Sequence, residues 1–475
     1  MTFQKSYSKS KSLELFTNEI IDPVIFREIY NNEILLIKFN SKITTESGAP
    51  FATFPIVYRN LANIKEGDIA IIQMIQLNKI FEFLSIIRKW GKFTIPSSAV
   101  NTLNLKNHFN VEFRIIKQSS PDSYIKEGTI DLMKIDSGEG VLYRNKNFIT
   151  IFKKSKIPVT LPRFIKITPD LIELLFLIHG DGHYKDKLYF VNKNPDLHKF
   201  VIKTFKNILK IPSDTWRARL LFNNTSDAEL AKEEWKNILD LKSKQFYPLI
   251  SKTELNTSNK GNLRIVIDKT IISSVFRYLF KMFSNPLDKN AFYALNGLLY
   301  AEGGVGKNKK GLHKITLSFN QNEKDLFFRI LKNSKIIKLT RIEQNSRFCI
   351  SNWENLYEFF KLFYLNQIVP FDINNERCKK AVGGFLEHSY TKTASKYLTI
   401  ITQKEDFTLK ELANKIGYRP DSILNTLKKK QYHKFINING KGINRNPLII
   451  SINNAGKEFL KIIDNLEKIY NDRFK

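Results

Sequence analysis

Two apolar nine-residue runs in this chain each end in a small residue, a carboxylate and a glycine: residues 174–182 read LLFLIHGDG and residues 295–303 read LNGLLYAEG. Runs that are apolar on every face mark buried helices, and an acid at the tip of such a helix is costly unless something positive meets it. Two such helices packed together bring Asp181 and Glu302 side by side. A carboxylate pair of this kind suits a divalent cation, above all Mg²⁺, which takes few protein carboxylates and completes its shell with water and phosphate oxygens. The chemistry implied is metal-assisted hydrolysis of phosphodiesters. Each acid also faces the negative end of a helix dipole, unfavourable there by roughly 0.3–1 kcal/mol, and a cation offsets that. A single apolar helix ending in Asp-Gly is usually a core helix with a solvated last turn; the duplication is what gives these two weight.

The surrounding elements are duplicated as well. Thr168-Pro169 and Asn285-Pro286 read as helix starts, an oxygen acceptor followed by proline in the first turn. After each acid come a polar loop, a strand-like stretch (KLYF at 187–190, KITLSF at 314–319) and an amphipathic helix. Placing Phe190 on Phe319 also places Asp196 on Asp325, Leu197 on Leu326 and Val201 on Ile330. The second copy has the longer loop, with GVGKNKKG as its source. This is an internal repeat.

On these residues the chain resembles the LAGLIDADG homing endonucleases in their single-chain, two-motif form, over roughly residues 165–390. The first copy departs from the family nonamer at Leu175, Phe176, His179 and Gly180. The second departs at Asn296, Leu299, Tyr300 and Glu302 and keeps Ala301 small. Both retain the terminal acid and glycine, and Glu at the metal position occurs in the family. The resemblance implies an α+β core over 161–392, a pseudo-twofold pair of αββαββα-type halves (about 165–283 and 285–390). It implies Mg²⁺, with Mn²⁺ able to substitute, held by Asp181 and Glu302 and by the backbone carbonyls of Gly180 and Ala301. Each half would cut one strand of a long pseudo-palindromic double-stranded DNA site, the protein acting as a monomer. Lys260, just before the strand NLRIVI, is the candidate for steadying the pentavalent phosphate, and an ordinary loop lysine is an equal reading of it.

Alternating strands supply rows of side chains for a major groove. Arg217 and Arg219 share a face in RARLLF, Arg264 lies in NLRIVI, and Lys314, Thr316, Ser318 and Asn320 form a further row. In TRIEQNSRF, Arg341, Glu343, Asn345 and Arg347 fall on one face. Any one row is also what a solvated sheet face looks like.

Composition points to the same partner. Lys+Arg 76 against Asp+Glu 46 gives a net charge of +30, which calls for a polyanion, nucleic acid first. An AT-rich coding sequence would inflate Lys, Asn and Ile together, but would not by itself suppress the acids so far. The longest apolar stretch, 70–87, is broken by Gln73, Gln76, Lys79 and Glu82, so no membrane span is expected. Cys349 and Cys378 have no zinc spacing. No secretory leader opens the sequence and no splicing residues flank it, so an intracellular protein (cytoplasm, nucleoid or organelle) rather than an intein is expected.

The ends carry further patterns. In a β-rich domain over 1–160, FPIVYRNLANIKEGDIAII (54–72) and IPSSAVNTLNLKNHFNVEF (95–113) repeat, Pro55 and Pro96 matching, as do Ile64 and Leu105. With Gly91-Lys92-Phe93-Thr94 and Glu66-Gly67-Asp68 this resembles the swapped-hairpin barrel of AbrB-type transcription factors; a small β domain that only packs is the alternative. Over 396–475, LKELANKIG (409–417) and SILNTLKKKQ (422–431) read as two helices, followed by strands KFINI and PLIISI and a final helix from Asn454. This resembles a winged helix-turn-helix, separable from the core. It would present Arg419, Ser422, Asn425, Lys428 and Lys429 from the recognition helix and Lys441 and Arg445 from the wing. Such modules also serve protein contacts. Two other classes remain open for the whole chain: an RNA maturase, or a transcription regulator on an inactive core, as in WhiA-type regulators. Retention of both acids favours the enzyme.

Overall fold

In the computed structural model, the described residues are 25–28, 34–46, 49–61, 64–66, 69–76, 79–105, 110–118, 128–132, 135, 140–145, 147–152 and 159–475, the last apart from 223–227, 248–250, 253–260, 308–312, 345 and 443–446. The chain is mixed α+β with several antiparallel sheets. It divides into two compact units, Met1–Lys166 and Ile167–Lys475.

In the first unit the 41-residue repeat is real and has a structural meaning. Each copy runs strand, proline, short helix, strand: Ala49–Thr53, Pro55, Ile56–Leu61 and Ile69–Gln76 in the first; Lys92–Thr94, Pro96, Ser97–Thr102 and Asn110–Gln118 in the second. Equivalent positions of the two copies are register partners, Ala52 opposite Phe93 and Gln73 opposite Arg114. The copies are therefore related by a local twofold passing between these pairs. Ile64 and Leu105 enter one core with Phe39, Phe54, Phe93 and Phe113. The swapped-hairpin barrel is not the result. Strand Ile69–Gln76 pairs antiparallel with Lys79–Ile86, and the five-strand sheet ends there on one side and at Ile25–Glu28 on the other, so the described strands stay open.

The second unit carries the duplicated segment. Its first half runs helix Pro169–Asp181, strands Gly182–His183 and Leu188–Asn192, helix Pro195–Ile208, strand Arg217–Phe222, helix Ala228–Leu239, strands Ser251–Lys252 and Asn262–Ile267, and helix Thr270–Met282. The second half has helix Asp288–Ala301, strands Gly303–Lys307 and His313–Ser318, helix Lys324–Asn333, strands Arg341–Glu343 and Arg347–Ile350, and helix Trp353–Leu365. The orders agree apart from two insertions in the first half, the helix Ala228–Leu239 and the short strand Ser251–Lys252. Each acid is followed at once by a strand that pairs back, Gly182 opposite Phe190 and Gly303 opposite Leu317, so the expected polar loop begins later. Thr168 caps its helix as read, accepting from the Leu171 amide at 3.2 Å. Asn285 does not cap: the second helix starts at Asp288 after an uncapped Leu287, and the Asn285 side-chain oxygen accepts from Asn333 instead.

TRIEQNSRF is a hairpin and not a single strand, because Gln344 turns with φ 52° and Glu343 then pairs opposite Arg347. In the C-terminal segment, helix Leu409–Ile416 is closed by Thr408 and Glu411 in a capping box and by Gly417 at φ 84°. The next helix starts two residues before expectation, at Pro420, since proline needs no amide partner in a first turn; a short helix Lys430–His433 follows it. Strands Phe407–Thr408, Ile449–Ile452 and Ile436–Asn439 make a three-stranded sheet.

This segment is not separable. The helix Asn454–Phe474 buries Phe459, Ile462, Ile463 and Leu466. The Phe459 ring lies 5.3 Å from Tyr357 and 6.2 Å from Trp353, and Tyr470 fills the space beside Gly383. Deleting residues 396–475 removes several aromatic and aliphatic anchors, each worth roughly 2–5 kcal/mol when truncated to alanine. The deleted chain is expected to be insoluble or molten by near-ultraviolet circular dichroism; a cooperative melt near the full-length temperature would show the packing to be dispensable.

Candidate functional site

The two motif helices, Pro169–Asp181 and Asp288–Ala301, lie against each other at backbone contact. Small residues allow the approach. A Cβ on Gly297 would sit 2.4 Å from the Glu173 carbonyl oxygen and 3.0 Å from the Phe176 Cβ, and one on Gly180 would sit 2.5 Å from the Ala301 Cβ. Phe176 and Gly180, two departures from the nonamer, thus lie on the shared face.

Asn296 and Tyr300, two more departures, are explained by Glu173 on the facing helix. Glu173 is buried and accepts from Asn296 Nδ2 and from the Tyr300 hydroxyl, both at 3.1 Å. Burial pushes its carboxyl up to about 8. Asn296 also receives the Phe371 amide at 2.9 Å and donates to the Val369 carbonyl, tying the crossing to the segment that follows helix Trp353–Leu365.

The helix pair ends in the acids. Asp181 is the last residue of its helix and Glu302 caps the other. The position of a Cβ on Gly180 is 3.7 Å from Glu302 Oε1, which puts Glu302 beside the residue next to Asp181. Burial raises Asp181 to about 6, against the lowering effects of Asn192, which donates to its Oδ2 at 2.6 Å, and of Arg377. Burial, then Asp181, then Glu323 raise Glu302 to about 7, against Arg377.

Arg377 is the residue that sequence reading missed. It stands on helix Asn375–Leu386, beyond the elements that the two halves share, and its Nη1 donates to the carbonyls of Leu299, Tyr300 and Ala301 at 3.1, 2.5 and 3.1 Å. It therefore puts a cation at the negative end of the second helix and attracts both acids. Nothing local marks it; only Asn374, which caps its helix, is legible beforehand. Glu323 is a second omission. It lies 3.7 Å from His179, whose other ring nitrogen meets the Tyr184 hydroxyl at 2.7 Å and whose ring stacks on Phe280. His179 is thus a packed histidine, its pKa lowered by burial.

Two half-buried neighbouring carboxylates with raised proton affinity fit a divalent cation. The Ala301 carbonyl, expected as a metal ligand, already accepts from Arg377. No group of three or more His, Cys, Asp or Glu side chains placed for a metal occurs among the described residues. A cation here would take its remaining ligands from water and phosphate. Lys260 lies outside the described residues, as do Asn345 and Arg445.

The sheets place the basic residues unequally. On strand Arg217–Phe222, Ala218 and Leu220 are buried while Arg217 is exposed and Arg219 half-buried. Arg219 is the register partner of Arg264. Arg217 and Arg219 lie over the Tyr247 ring at 5.1 and 4.6 Å, and Arg264 lies over Tyr189 at 4.8 Å. In the second sheet, Lys314 and Arg341 both reach Glu343, at 3.4 and 2.7 Å, and Arg347 is half-buried opposite it. These two expected DNA contacts are therefore already paired. Arg419, Ser422, Asn425, Lys428, Lys429 and Lys441 are all exposed.

No family model matches the chain, and no curated protein does. Among solved structures, the solution structure of PHS018 from Pyrococcus horikoshii is similar over 18% of this chain and 95% of that one, with 18% identity and a TM-score of 0.16. A likeness that slight carries no argument about fold or function. No helix among the described residues is long and apolar enough to cross a membrane.

Proposed function

We propose that this chain is a Mg²⁺-dependent, site-specific DNA endonuclease of the LAGLIDADG homing type, working as a monomer with two unlike halves. The observation that carries the reading is the pair Asp181 and Glu302, one from each half, at the ends of two helices that meet through Gly180 and Gly297. Two neighbouring, half-buried acids cost stability, and a structural role does not require both.

In this reading Asp181 and Glu302 hold the cation beside the scissile phosphates. When bound, Mg²⁺ lowers the pKa of a coordinated water and neutralises charge on the leaving oxygen. Asn192 orients Asp181 through its 2.6 Å hydrogen bond, and Arg377 favours the ionised form of both acids. The sheets hold the duplex by Arg217, Arg219 and Arg264 on one side and Lys314, Arg341 and Arg347 on the other. The exposed row Arg419, Ser422, Asn425 and Lys428 adds a further contact outside the core.

Arg377 also favours a second reading, in which its guanidinium already serves the acids as their only counter-charge and the chain binds nucleic acid without cutting it. A cleavage screen on randomised duplex DNA with Mg²⁺ or Mn²⁺ separates the two. The expected result is double-strand cutting across one minor groove within a long, imperfectly palindromic site. Selective duplex binding without cutting would establish a regulator, and selective binding of structured RNA a maturase.

A further inference from the structure

The first sheet holds two cations in an arrangement the fold itself does not favour. Arg219 and Arg264 stand directly opposite each other on neighbouring antiparallel strands, where like charges are destabilising. Each Nε is buried and has no hydrogen-bond partner. Their guanidinium planes are steadied over Tyr247 and Tyr189, which orient a cation without neutralising it. Tyr247 is itself held by its hydroxyl, which donates to Asp268 at 2.6 Å. The corresponding face of the second sheet is built the other way. There Glu343 accepts from Arg341 at 3.1 and 2.7 Å and from Lys314 at 3.4 Å, and its carboxyl is held below the usual carboxylate range by those bonds.

We propose that the two halves engage duplex DNA unequally. Arg219 and Arg264 form the anchoring site, taking phosphate oxygens or the O6/N7 edge of guanine, while Glu343 restrains the cations of the second half. This rests on the nucleic-acid reading above. Both side chains are half-buried and no acceptor of the fold takes their Nε, so the accessible part of each guanidinium is left for an external acceptor, and an Arg fork fits both phosphate and guanine. Glu343 lowers the net attraction of its sheet for phosphate, so the second half contributes less binding energy.

The test measures binding by the full-length chain to a short fluorescein-labelled duplex of random sequence, in Ca²⁺, over a salt series. The double variant Arg219→Gln/Arg264→Gln is expected to lose about tenfold or more in affinity, and, where the acceptors are phosphates, to lose about 2 from the log–log salt slope at roughly 0.9 per contact. An unchanged slope with an altered sequence preference in a binding selection identifies guanine as the acceptor instead. The thermal midpoint of this variant should equal or exceed that of the parent, since a like-charge pair is removed; a lower midpoint would assign the arginines to the fold and overturn the proposal. Lys314→Gln/Arg341→Gln should cost less than the first double variant, and Glu343→Gln should tighten binding several-fold. Equal losses from the two double variants, with the parent binding normally, would overturn the asymmetry alone. A parent chain that binds no duplex, or prefers structured RNA, would overturn the DNA reading and this inference together.

Discussion

Asp181→Asn and Glu302→Gln should each abolish or severely reduce double-strand cleavage in Mg²⁺ while leaving duplex binding in Ca²⁺ nearly intact, and should each make the protein more stable at pH 8. The first part follows from the proposed roles, in which cleavage needs both carboxylates on the cation and binding lies in the sheets. The second follows from the electrostatics. Both acids have folded-state values raised above the ordinary carboxylate range, to about 6 and about 7. A group raised in this way contributes stability below its unfolded value and loses it as the pH climbs through its folded value. Above pH 7 the parent therefore carries two ionised, partly desolvated neighbours, and the neutral amides relieve that. A rise in melting temperature on the order of 2–4 °C is expected, which is what about 1 kcal/mol produces in a domain of 150–250 residues. At pH 5 the gain should vanish. For the same reason parent cleavage should increase between pH 5.5 and 8, as the acids ionise and can hold the cation. Full cleavage by either amide variant would falsify the assignment, and a loss of stability at pH 8 would mean that the carboxylates are structural.

Stability gained when an active group is removed is the signature of a site kept for chemistry against the interest of the fold. The same sign applies to Glu173 but the interpretation differs. That acid is held near 8 by burial, and its two hydrogen bonds serve the helix crossing. The distinction is one of position: Glu173 is inside the pair, and Asp181 and Glu302 are at its open end.

The helices of the repeat were legible because their cause is local. Apolar runs, a Thr-Pro start and an amphipathic follow-on helix all lie within short windows, and the acids fall at helix ends because the glycines that follow begin a strand. What the local pattern misjudged was turn chemistry. Asn285 looked like a cap, but its oxygen is taken by Asn333, 48 residues later. Residues 340–348 read as one strand because alternation continues through a turn at Gln344. The N-terminal repeat was visible at its prolines, yet the pairing of one copy with the other across Ala52 and Phe93 is a long-range fact. Arg377 could not be read at all. Its partners are three carbonyls more than 70 residues earlier, and backbone acceptors leave no trace in side-chain type. The same holds for Glu343, whose effect on Lys314 depends on a cross-sheet approach.

Arg377→Met should destabilise the second unit more than any other single change at the site, and do so in a pH-dependent way. The substitution removes three hydrogen bonds to the end of the second motif helix and the cation that both acids share. Removing one partner of a buried charged cluster costs roughly 3–5 kcal/mol, because the remaining charge is left uncompensated. Without the guanidinium, Asp181 and Glu302 move further up. The sign is then fixed: their protonated forms need no counter-charge, so the penalty at pH 5 should be smaller than at pH 8. Denaturant titration at the two pH values measures it directly, and the cleavage profile should shift to higher pH in parallel. Arg377→Lys should recover part of the pH shift through its charge, but less of the helix-end stability, since the shorter, strongly hydrated ammonium does not place a donor where Nη1 meets the three carbonyls. A loss equal at both pH values would show that Arg377 acts only as a helix cap. In that case the two acids would be left without an internal counter-cation, and the case for an external one, supplied as Mg²⁺, would be stronger.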